Sequence, residues 1–278
     1  MNRPSMLLAV LLIGLGAAVA AQSIRNGKTP GGIAFDVQGS GPVVVLITGS
    51  NLDRRMWARE AEWLSRRHTV IRYDLRAHGA SDTATTEFTH LGDLIGLLDH
   101  LKIQKAALVG LSAGSTIALD AALEIPDRVD RIALAGPAIG GFVPKLPPSF
   151  PPELMTALKA GDYRKVSEVL LTTPVFAAPP ESQALVRQMV MENDRLWTVD
   201  RALMKSPSPA AATRLESVRV PTLVLIGERD ANQREHADAL AARVPGARIV
   251  RVPGGGHLLN LTSPKEFEAA VSAFLGSR

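Results

Sequence analysis

Ser112, Asp230 and His257 are the residue types that, brought together, turn a hydroxyl into a nucleophile. The histidine takes the serine proton, and the carboxylate fixes the histidine tautomer and stabilises the imidazolium that forms. Ser112 lies in Gly110-Leu111-Ser112-Ala113-Gly114, between the apolar run Ala106-Ala-Leu-Val109 and an Ala-rich segment reaching Asp120. This reads as strand, tight turn and helix, the setting in which a G-x-S-x-G pattern lifts a serine hydroxyl out of a sheet. The helix that follows points its free N–H groups at the place where an oxyanion would develop. Asp230 ends Gly227-Glu228-Arg229-Asp230, which follows the apolar run Thr222 to Ile226; His257 ends Pro253-Gly-Gly-Gly-His257, which follows Arg248 to Val252. Each of the three stands past the carboxyl end of a different predicted strand. Glu228 is the rival acid.

The elements that must hold these residues alternate along the chain. Strands are predicted at Ile33 to Gln38 (an edge), Val43 to Ile47, Thr69 to Tyr73, Ala106 to Val109, Arg131 to Ala135, Thr222 to Ile226 and Arg248 to Val252. Helical stripes fall between them, such as Trp57, Ala61 and Leu64, or Leu91, Leu94, Leu98 and Leu101. Alternation of this kind implies an α/β fold, a mostly parallel sheet with helices on both faces, and ligands gather beyond the carboxyl ends of such strands. Residues 140–214 break the pattern: prolines crowd at both ends, and Leu154, Leu158, Leu185, Met189 and Leu196 fall at helical intervals. That segment is expected to be a helical cap covering the groove above Ser112, inserted into a core made of residues 31–139 and 215–278.

With 278 residues, 46% of them apolar, the chain can bury one large core. Lys and Arg number 31 against 27 Asp and Glu and are interspersed, and only 4% of residues are aromatic, which argues against a nucleic-acid partner. Arg54-Arg55 and Arg66-Arg67 read as a solvated face. There is no cysteine, so disulfides, metal thiolates and a thiol nucleophile are excluded. Arg3, the apolar run Met6 to Leu15 and small residues at Ala18 and Ala20 have the layout of a secretory signal peptide over residues 1–20. Export, with cleavage after Ala20 and no stable membrane insertion afterwards, is the expectation, and residues 21–30 read as a tether.

Together with Gly39-Ser-Gly-Pro42, Met56-Trp57, Tyr73-Asp74-Leu75-Arg76 and His78-Gly79, these motifs make the chain resemble the α/β-hydrolase superfamily, in its capped branch of esterases, lactonases, haloperoxidases and carbon–carbon hydrolases. The resemblance implies the α/β-hydrolase fold, an Ser112-His257-Asp230 triad, oxyanion-hole N–H groups from Ser50 and Ala113, a small ester-like substrate, and neither cofactor nor metal. A carbon–carbon hydrolase or perhydrolase would keep the same triad, and a ligand-binding relative without useful turnover is a further alternative. The chain departs from the family pattern at Thr48-Gly49, where His-Gly is usual, and at Ala77 within Arg76-Ala77-His78-Gly79. By the same resemblance Arg76 and His78 belong to a structural turn. Asp53 reads as a helix cap, and His68, His90, His100 and His236 as surface or packing residues.

Overall fold

The computed structural model describes residues 24–145 and 150–276. Eight strands, β1 (Arg25–Lys28), β2 (Ala34–Gly39), β3 (Val43–Ile47), β4 (Thr69–Tyr73), β5 (Ala106–Leu111), β6 (Val129–Ala135), β7 (Thr222–Gly227) and β8 (Arg248–Val252), form one sheet in the order β1-β2-β4-β3-β5-β6-β7-β8. From β4 to β8 all pairings are parallel, while β2 pairs antiparallel with both β1 and β4. The tether expected over 21–30 is therefore no free linker in its described part. Arg25–Lys28 is the edge strand, and β2, read from sequence as the edge, lies inside it. Four polar or glycine residues carry no apolar alternation, so backbone pairing alone makes this strand.

Nine helices complete the described fold: α1 (Ala58–Leu64), α2 (His90–His100), α3 (Ala113–Glu124), α4 (Pro152–Ala160), α5 (Tyr163–Leu170), α6 (Pro180–Glu192), α7 (Arg234–Arg243), α8 (Leu259–Thr262) and α9 (Pro264–Gly276). Strand side chains alternate between faces, so the continuous apolar run of β3 feeds two cores. Val45 and Ile47 pack with Leu94, Leu98, Ile117 and Leu240 from α2, α3 and α7, while Val44 and Leu46 pack with Trp57 from the 3-10 turn before α1 and with Leu64, Phe267 and Val271 from α1 and α9. Among the described residues no helix is long and apolar enough to cross a membrane. The leader expected over 1–20 lies outside the described residues.

The chain leaves the sheet after β6 and returns at β7, its direct neighbour, so the segment between them stands at one opening. It holds α4, α5 and α6 with short 3-10 turns. Its apolar stripe does not merely overlie the core. Leu154, Val166, Met189 and Val190 join the same cluster as Leu52, Met56 and Trp57, and Met189 is fully buried. This part of the segment is structural packing.

The pair Arg54-Arg55 is not a solvated face either. Arg54 bonds Asp36 and Asp74, and Arg55 bonds Asp53 and Glu192, whereas Arg66 and Arg67 are exposed as expected. Asp53 is a cap, its side chain accepting from the Arg55 N–H at 3.0 Å.

Candidate active site

The strand order reverses direction at β3, since the chain goes from β3 to β4 on one side and then to β5 on the other. Such a switch point opens a crevice beyond the carboxyl ends of the two strands. Ser112 stands there, between β5 and α3, with φ 56° and ψ −116°, a conformation that L residues adopt only when surrounding structure enforces it. The glycines on either side explain the enforcement. A Cβ on Gly110 would lie 2.2 Å from the Gly114 carbonyl oxygen, and one on Gly114 would lie 2.2 Å from that of Ile47. Only glycine lets the turn close so tightly against itself and against β3. The Ser112 N–H donates to the Ala135 carbonyl at 2.9 Å, tying the turn to β6, and the Ser115 hydroxyl donates to the Ser112 carbonyl at 2.5 Å.

Asp230 and His257 meet. The His257 Nδ1–H donates to Asp230 Oδ2 at 2.7 Å, and both residues are 4% exposed. With Nδ1 so engaged, Nε2 is the ring atom left to accept a proton. The imidazole packs over Gly136, the residue after the Ala135 that holds Ser112, so base and elbow share the end of β6. The loops carrying the pair are laced together: the Arg229 N–H donates to the Gly255 carbonyl at 2.9 Å. Glu228 is exposed and its Oε2 accepts from the Gly254 N–H at 3.3 Å, so the rival acid is turned away from the histidine.

Ala113 is the first residue of α3, where N–H groups have no intrahelical acceptor. Ser50 lies in the loop after β3 and is exposed. Gly49, just before it, faces Ser112 closely enough that a Cβ there would be 3.2 Å from the Ser112 Cβ. The loop of Ser50 thus lies beside the serine, and Ala113 follows it directly in the chain.

The departure at Thr48 has a structural answer. Thr48 is fully buried, and its hydroxyl has no hydrogen-bond partner among the described residues, so it does not brace the loop. His78 does. Its Nδ1–H donates to the Arg76 carbonyl at 2.9 Å and its Nε2 accepts the Asn51 N–H at 3.1 Å, next to Ser50. Burial pushes the His78 ring down to about 4, partly offset by the Arg76 carbonyl, so it stays neutral and keeps this tautomer. Arg76 itself bonds Asp93. The turn is structural, as expected, and its histidine also holds the loop that carries Ser50.

Sequence reasoning missed a second brace. Asn193, fully buried at the end of α6, accepts the Gly79 N–H at 2.7 Å through Oδ1. Its Nδ2 donates to the Met189 carbonyl at 2.8 Å, to Asp53 Oδ2 at 3.2 Å and to the Asn51 carbonyl at 3.4 Å. Two positions on, Arg195 donates to the carbonyls of Ala77, Gly79 and Ser81. No motif marks either residue, because their partners on the loops of Asn51 to Asp53 and Ala77 to Ser81 lie over a hundred positions away. Of the remaining histidines, His236 is buried and accepts the Ile139 N–H at 3.2 Å, while His90 is held near 4 chiefly by burial.

The chain is 27% identical to the rhodomycin D methylesterase DnrP of Streptomyces peucetius, over 83% of this chain and 89% of that protein. It is 26% identical to a putative carbamate hydrolase, RutD, of Azorhizobium caulinodans, over 87% and 94%. It is also 32% identical to the polyketide synthase ThaQ of Burkholderia thailandensis over 94% of this chain, which spans only 13% of ThaQ. Among solved structures, a thermophilic esterase from Thermogutta terrifontis superposes with a TM-score of 0.74 at 27% identity, covering 91% of this chain and 98% of the esterase. A profile described as the alpha/beta hydrolase family matches residues 44–270, and the chain belongs to that family.

Proposed function

We propose that this protein is a serine hydrolase that cleaves a small ester, or a closely related acyl bond, through an acyl-enzyme. Ser112 Oγ attacks the acyl carbon while its proton passes to His257 Nε2, and the Ser50 and Ala113 N–H groups receive the developing oxyanion. The imidazolium then protonates the departing alcohol, and water, deprotonated by the same nitrogen, releases the acid. Asp230 keeps the ring oriented and balances its charge. The observation that carries this reading is the buried 2.7 Å bond between His257 and Asp230 beside a serine held at positive φ. Relatives described as a methylesterase and an esterase favour an ester over the other bonds the same triad could break.

Turnover of p-nitrophenyl acetate and labelling by a fluorophosphonate probe test it. Ser112→Ala should abolish both without changing the circular dichroism spectrum. Asp230→Asn should lower kcat by about 10³- to 10⁴-fold, and Glu228→Gln should leave it within about twofold. Undiminished turnover by Ser112→Ala, or a larger loss in the Glu228 variant than in the Asp230 variant, would overturn the assignment.

A further inference from the structure

A groove of about 710 Å³ runs between the cap and the loops that carry Asp230 and His257. Pro174, Phe176 and Val186 give it apolar walls, and Gly256, adjacent to His257, forms part of its core side. Two arginines line it as well: Arg187 on α6, and Arg229, adjacent to Asp230. No acidic side chain does. Most arginines around the site are committed elsewhere: Arg54, Arg55 and Arg76 pair with carboxylates, and Arg195 with main-chain carbonyls. Arg187 and Arg229 have neither an ion-pair nor a side-chain hydrogen-bond partner among the described residues. Two cations from separate elements, one on the cap and one on the core, thus share one apolar-walled groove without a counter-charge.

We propose that this groove is a subsite for a substrate whose far end carries a carboxylate, the apolar walls taking the intervening chain and Arg187 and Arg229 the anion. An arginine is the side chain suited to grip a carboxylate with paired N–H donors, and Arg187 and Arg229 are both exposed to an incoming anion. The inference rests on the proposed triad only in supposing that the near end of the same molecule is the ester.

The test compares monomethyl with dimethyl esters of succinate, adipate and suberate, which differ only in whether the far end is charged. For wild-type protein kcat/KM should favour the monomethyl ester over the dimethyl ester of the same diacid. In Arg187→Gln/Arg229→Gln, KM for the monomethyl ester should rise by at least about tenfold, with the dimethyl ester within about twofold and kcat for p-nitrophenyl acetate unchanged. Equal effects on both esters, or a wild-type preference for the dimethyl ester, would overturn the subsite. If wild type turns over p-nitrophenyl acetate but none of these esters, the subsite is overturned; if it turns over neither, the hydrolase reading is what fails. Calorimetric titration with monomethyl adipate then still decides the groove: binding lost in the double variant supports it, and no binding, or equal binding of dimethyl adipate, refutes it.

Discussion

The backbone at Ser112 has a measurable cost of its own. A non-glycine residue held at φ 56° and ψ −116° stores on the order of 1–3 kcal/mol of strain, which the surrounding turn must offset. Ser112→Gly and Ser112→Ala should both be inactive, but they should differ in stability. Glycine relieves the strain at an entropic cost of roughly 0.5–1 kcal/mol, so the Gly variant should be the more stable by about 1 kcal/mol in urea denaturation, and equal midpoints would mean that the turn is not strained. The residues at this scale were the most legible in the sequence. Ser112, Asp230 and His257 each follow a strand marked by its own apolar run, and the glycines around them are local necessities. Glu228 and Asp230, two positions apart, are separated in the sequence only by the family resemblance, which favours Asp230, and in the fold Asp230 is the one that bonds His257. His78 was legible only as a turn residue, because its hydrogen bond to Asn51 joins two loops that the sequence does not connect.

Between elements, two buried polar contacts do what apolar periodicity cannot report. Glu60 on α1 is 1% exposed, and its Oε2 accepts from Asn260 Nδ2 on α8 at 3.3 Å, just beyond the histidine loop. Burial pushes this carboxyl up to about 7, with the Asn260 bond opposing. Since the ordinary value is 4.5, the native state keeps a proton that the unfolded chain has lost between those values. Stability should therefore fall as pH rises from about 4.5 to about 7 and level off above. Glu60→Gln, which retains the acceptor, should remove this dependence, and thermal unfolding at pH 5 and pH 8 should show a gain of on the order of 2–3 kcal/mol confined to the higher pH. A gain of the same size at both would refute it. Asn193 joins α6 to the loops of Asn51 and Gly79. Asn193→Ala removes the acceptor of the Gly79 N–H and one donor to the buried Asp53 carboxylate, which keeps Arg55, and should cost about 1–2 kcal/mol in urea denaturation. It should also lower kcat more than it raises KM, because the loop it steadies carries the Ser50 N–H. Unchanged stability would show that water replaces it. The helical intervals marked α4 with Leu154 and Leu158 and α6 with Leu185 and Met189, but Leu196 falls in a 3-10 turn, α5 had no residue in the stripe, and the intervals could not say which stripe met the core. Met189, expected to face substrate, is instead among the most buried residues of the second core.

For the molecule as a whole, the order of strands and helices was readable, because a parallel sheet buried on both faces writes continuous apolar runs. Strand β1 was not, since an edge strand of Arg, Asn, Gly and Lys is held by backbone pairing and has no side-chain signature. Its position bears on export. If the leader is removed after Ala20, the mature chain starts just ahead of β1, and mass spectrometry of protein recovered from outside the cytoplasm should find Ala21 at the N-terminus; an intact Met1 would exclude cleavage. The attachment of the cap has a consequence for motion. The end of α6 is stitched to the core by the Arg55–Glu192 ion pair, by Asn193 and by the three carbonyl contacts of Arg195, all on the loops that shape the site. A cap fastened so cannot lift away as a unit without loosening the loop of Ser50. Because Leu154, Val166 and Met189 are buried in the second core as well, helices α4 to α6 stand as a fixed wall of the site rather than a swinging lid, and the choice of substrate falls to the shape of the opening.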